Sequence, residues 1–163
     1  MRSQYIVLLV LALAVSAWAQ QQTSTNSMGQ PAQGGFVAPQ PVTTQSAPAP
    51  IGDYSQAIKA GGFVFVSGQL PIDPATGKVV GADNIALQTD RVLRNIDSIL
   101  RAAGSSRERI VRTTVFLNYI GDLPAMDQVY RGYFQGTLPA RSVVEAQKLP
   151  EHVLVEIEAV ALQ

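Results

Sequence analysis

Two apolar runs constrain the fold of this chain more than any other feature. Residues 63–66 read Phe-Val-Phe-Val, and residues 153–162 are apolar apart from Glu156 and Glu158. Side chains alternate across a strand, so a strand apolar at every position has both faces buried. Covering both faces takes helices on each side or a second sheet, and the sequence supplies only two helical patterns. The first spans residues 84–103, opened by Asp83 and ended by a left-handed Gly104, with Val92, Ile96, Ile99 and Ala103 at helical spacing. The second runs from Asp122, with Pro124 close behind, to Gln135 before Gly136, and its apolar positions are Met126, Val129, Tyr130, Tyr133 and Phe134.

The remaining periodic segments read as strands. Residues 54–60 and 63–67 form a hairpin about Gly61 and Gly62, and residues 110–117, 141–146 and 153–162 follow. The order is β-β-α-β-α-β-β, an α+β domain with two helices on one face of its sheet. The other face is left without cover, and its expected partner is a second copy of the chain.

This domain occupies residues 50–163. Residues 1–19 have the form of a secretory signal peptide: a basic Arg2, an apolar run over 6–17 and a small-x-small site at Ala17, Trp18 and Ala19. The run is short for a membrane span. The mature protein is therefore expected to be exported, periplasmic or secreted, with no membrane contact after cleavage. Residues 20–49 hold no charged residue and are rich in Gln, Pro, Ser and Thr. The expectation there is a flexible linker.

Composition narrows the chemistry. There is no cysteine and one histidine, His152, which removes disulfides, thiolate metal sites, a cysteine nucleophile and histidine-cluster metal sites. No cofactor or metal is expected. From Pro50 onward there are 11 basic and 12 acidic residues, without the basic excess of a nucleic-acid binder. The phosphate-loop, dinucleotide and nucleophile-elbow motifs are absent.

What remains is a small polar set. Arg141 opens a strand and shares a face with Val143 and Glu145; its fork can grip a carboxylate with two parallel hydrogen bonds or serve a structural ion pair with a nearby glutamate. Glu156 and Glu158, two apart, point to one face of the last strand. One of them can hold a water as general acid/base, or both can line a solvated rim. Tyr54, Ser67 and Asp127 lie near element ends, where core, turn and solvated-helix roles are the ordinary alternatives.

Seven stretches, in order, resemble the RidA family of imine deaminases: IGDYSQA (51–57), FVSGQLP (65–71), AAGSS (102–106), RTTVFL (112–117), MDQVY (126–130), PARSVVE (139–145) with LP (149–150), and VEIEAVA (155–161). The resemblance implies a chorismate-mutase-like homotrimer with clefts between subunits. It implies hydrolysis of 2-imino acids such as 2-iminopropanoate and 2-iminobutanoate to 2-oxo acids and ammonia, without a cofactor. By residue, it implies that Arg141 binds the substrate carboxylate, Glu156 positions the attacking water, Tyr54 and Ser67 line the cleft, and the Val143 backbone contacts the imine nitrogen region. Asp127 falls at a substrate-binding position where many members have Asn, and adds a negative charge beside an anion site. Asp53 stands where many members have Pro, and Val143 where some have Cys. The alternatives are a non-catalytic small-ligand-binding or holdase-like trimer and, from older family naming, a ribonuclease, against which the missing basic stripe argues.

Overall fold

The computed structural model describes residues 37–163. Six strands and two helices appear: β1 (Gln40–Val42), β2 (Ala57–Ala60), β3 (Phe63–Gln69), α1 (Ile85–Ala102), β4 (Ile110–Leu117), α2 (Leu123–Tyr133), β5 (Ala140–Glu145) and β6 (Val155–Leu162). They form one sheet in the order β1-β2-β3-β6-β4-β5. The β4–β5 pair is parallel and every other pair antiparallel. The last strand thus inserts between β3 and β4, with a neighbour on either side. That is where a strand with so continuous an apolar run is expected to lie.

Both helices pack on one face. Val92, Leu93, Ile96, Ile99 and Leu100 of α1, with Met126 and Tyr130 of α2, bury against Val64, Val66, Val115, Leu117, Val155, Ile157 and Ala159. Alternation sends Phe63, Phe65, Val144, Leu162, Glu156 and Glu158 to the opposite face. Phe63, Phe65, Val144 and Leu162 are all exposed there, Phe65 to 46%. The run at 63–66 is therefore half core and half open apolar surface, as the two-helix count required.

The domain begins earlier than residue 50. The signal-peptide segment 1–19 and linker residues 20–36 lie outside the described residues, but the linker expectation is corrected for 37–49. Gln40, Pro41 and Val42 pair with Lys59, Ile58 and Ala57 as an added edge strand, and Val42 and Ala47 are buried. Gln56 holds this arm. Its side-chain amide donates to the carbonyls of Thr44 (3.1 Å), Ala47 (3.3 Å) and Pro48 (2.7 Å), while its Oε1 accepts from the Thr44 N–H (2.7 Å). Composition missed this because the arm is ordered by partners in the domain: the β2 ladder, the core that takes Val42 and Ala47, and the Gln56 side chain.

Helix ends also moved. Asn84, not Asp83, caps α1, its Oδ1 accepting from the Leu87 N–H at 3.0 Å. Asp122 precedes α2 without a side-chain capping bond; a short 3-10 turn (Ile120–Asp122) leads the chain in. The turn before β6 is held from the core by fully buried Gln88. Its Nε2 donates to the carbonyls of His152 (2.7 Å) and Gly81 (3.0 Å), and its Oε1 accepts from the Leu154 N–H (2.7 Å). His152 has a φ of 64°, an uncommon value for a side-chain-bearing residue, so these bonds offset a local backbone cost.

Candidate active site

The polar residues singled out by sequence fall into two groups, on opposite faces of the sheet. Arg141 aligns with Thr113 of β4, which aligns with Ala159 of β6, and this row faces the helices. Glu156 aligns with Phe116, which aligns with Val144, and that row faces away. Within one protomer the guanidinium and the glutamate do not share a pocket.

The Arg141 group sits at the edge of the sheet. Nη1 of Arg141 donates to Oδ1 of Asp127 on α2 at 2.5 Å. Its guanidinium carbon lies 4.7 Å from the ring centre of Tyr130, one turn further along the helix, a cation–π distance. The Tyr130 hydroxyl is hydrogen-bonded to that of Thr113 at 2.7 Å, and burial pushes the phenol's pKa up, so it stays protonated. Ring, hydroxyl pair and strand thus lock the plane on which Arg141 rests. Asp127, Tyr130, Arg131, Leu138, Pro139 and Arg141 line a cleft of about 290 Å³. The structural ion pair left open by the sequence exists, with Asp127 in place of a glutamate.

Val143 lies two residues on, in an edge strand. The Ala146 N–H donates to the Leu117 carbonyl. Backbone groups alternate sides along a strand, so those of Val143 and Arg141 point off the open edge, available to a ligand or a neighbouring chain.

The Glu156 group forms around a glycine. A Cβ at Gly68 would lie 1.8 Å from Oε1 of Glu156 and 2.8 Å from its Cδ, so the carboxyl lies directly over the Gly68 backbone. A register shift in the β3–β6 ladder between Val66 and Gln69 makes room for this contact. Glu156 is half-buried, and its pKa is raised by burial first and by the charge of Glu158 second. A carboxyl held in this way keeps its proton to higher pH than an ordinary glutamate does. Ser67 donates its hydroxyl to the Ser55 carbonyl at 2.7 Å, and so anchors the segment that carries Tyr54. Tyr54 is exposed, accepts from the Ile51 N–H (3.3 Å) and lines one hollow with Gly68 and Leu70.

Tyr54, Ser67 and Glu156 therefore gather around Gly68, and Arg141, Asp127 and the Val143 edge around Tyr130. The sequence left Ser67 between a turn and the cleft and placed Tyr130 only among the apolar positions of its helix. The signal for Gly68 was a glycine inside an apolar strand, which marks a bulge or a close approach. Among the described residues, no group of three or more His, Asp or Glu side chains is placed to hold a metal ion.

Comparison with known proteins agrees with this architecture. The family described as Endoribonuclease L-PSP matches residues 44–163. A RutC family protein of Pyrococcus horikoshii is 52% identical over 120 residues, 74% of this chain and 94% of the relative. The 2-iminobutanoate/2-iminopropanoate deaminase of Rattus norvegicus is 41% identical over 122 residues, 75% of this chain and 88% of the relative. The crystal structure of a Rid family protein of unknown function from Yersinia pestis superposes with a TM-score of 0.74 at 45% identity, covering 77% of this chain and all of that one. With the same two-helix, one-sheet fold and a family match over nearly three-quarters of its length, the chain belongs to the RidA family.

Proposed function

We propose that this protein hydrolyses 2-imino acids to 2-oxo acids and ammonia, in sites completed between copies of the chain. The observation that carries the reading is the division of the site. A carboxylate-binding half and an acid/base half lie on opposite faces of one sheet, beside an exposed apolar surface of Phe63, Phe65, Val144 and Leu162. Burying that surface against the edge of a second copy brings one protomer's Arg141 towards another's Glu156. A closed ring of three satisfies every such edge. The deaminase relative from rat supports the reaction class.

The chemistry asks little of the protein. Arg141 fixes the carboxylate and the Val143 backbone orients the nitrogen. Glu156 takes a proton from a water as its oxygen bonds to C2 of the protonated imine, giving a neutral carbinolamine. Glu156 returns that proton to nitrogen and takes the hydroxyl proton as the C–N bond breaks and C=O forms; ammonia leaves with the 2-oxo acid and carries the last proton away as ammonium. Positioning supplies most of the acceleration, because the imine carbon is already electrophilic. The leading segment is proposed to carry the protein out of the cytoplasm, where imines from extracytoplasmic amino-acid oxidation are its substrates; sequencing the mature N-terminus tests the export.

The test follows loss of 2-iminobutanoate generated in situ. Wild type accelerates it, while Arg141→Ala and Glu156→Gln do not. Phe65→Glu, which places a charge on the open face, yields monomers in light scattering and loses activity with the assembly. Equal rates with and without wild-type protein would defeat the proposal.

A further inference from the structure

Asp127 already occupies the guanidinium that the proposed reaction needs. One nitrogen of Arg141 is engaged by Asp127 at 2.5 Å, and one face lies on Tyr130. A ligand carboxylate is left the remaining donors, next to an acidic oxygen. Among the described residues, Asp127 makes one side-chain hydrogen bond, through Oδ1. Oδ2 is available to a donor entering the cleft. Arg131 lines the same cleft and attracts any anion, so it does not discriminate among carboxylates.

Building on the reading that Arg141 grips a carboxylate, we propose that Asp127 sets the ligand class of this cleft: zwitterions, with a protonated nitrogen on the carbon next to the carboxylate, in preference to plain carboxylates. A plain 2-oxo or 2-hydroxy acid brings a second negative charge against Asp127 and offers no cation in return. A 2-iminium or 2-ammonium acid exchanges one internal ion pair for two, its carboxylate on Arg141 and its N–H on Asp127. Residue 127 thereby distinguishes the iminium substrate, which carries the cation, from the 2-oxo product, which does not, and it favours product departure.

L-Alanine and L-lactate differ mainly in ammonium against hydroxyl, and both can be titrated calorimetrically into the full chain. Wild type is expected to bind alanine at least about tenfold more tightly than lactate, since one like-charge contact in a partly screened cleft is worth that factor. In Asp127→Asn, lactate tightens about tenfold and the preference collapses, while Asp127→Glu retains it. A lactate affinity unchanged by Asp127→Asn, or no binding of alanine by wild type, overturns the proposal. Arg141→Ala separates the two readings. If it leaves both ligands bound as in wild type, the carboxylate grip itself fails. If it abolishes both while Asp127→Asn leaves their ratio unchanged, only the role of Asp127 fails.

Discussion

Replacing Gly68 by alanine tests the Glu156 half-site without touching a charged group. The added Cβ would fall 1.8 Å from Oε1 of Glu156, whereas real Cβ contacts are essentially never under 3.0 Å, so the carboxyl must retreat by about 1.2 Å. Backbone strain does not confuse the result, because φ at Gly68 lies outside the glycine-favouring region. With Glu156 positioning the reacting water as proposed, a displacement of this size costs on the order of a hundredfold in kcat. The stability cost is that of overpacking, about 1–3 kcal/mol. In a Glu156→Ala background the three atoms nearest that Cβ are gone, and there the same substitution stabilises by about 0.4–1 kcal/mol through the unfolded chain. The assay is a double-mutant cycle in urea denaturation, read beside imine hydrolysis by the folded Gly68→Ala protein. Additive stability effects, or activity within about threefold of wild type, would refute the placement of Glu156 over Gly68 as the reason for the glycine.

The raised pKa of Glu156 means the folded state holds its proton at higher pH than the unfolded chain. Stability from this group is therefore present below the ordinary glutamate range and lost as pH rises through the raised value. Glu156→Gln should match wild type in denaturation midpoint at about pH 4 and exceed it at about pH 7, modestly because the group is only half-buried. Gln88→Leu removes the partner of the Leu154 N–H and of two part-buried carbonyls, and should cost about 1–3 kcal/mol in thermal or urea unfolding. Gln56→Leu should cost about 1–3 kcal/mol and speed hydrogen exchange in Gln40–Val42 more than in β6.

The sequence by itself determined the fold class, the two helices on one side and the need for cover on the other. These follow from periodicity and from apolar runs, which are properties of neighbouring residues. Through resemblance it also named candidate site residues, and through the two-residue strand repeat it placed Glu156 and Glu158 on one face. Other features depended on contacts between residues far apart in the chain. A charge-free stretch became ordered because Gln40–Val42 pairs with Ala57–Lys59 and Gln56, at least eight residues further along, satisfies the backbone that follows. Gly68 mattered because β6 lies beside β3 and brings a carboxyl over it. Arg141 and Glu156 fell on opposite faces because β4 sets the rows of both β5 and β6. Local pattern fixes which way a side chain points relative to its own strand; only strand order and register decide what it meets there.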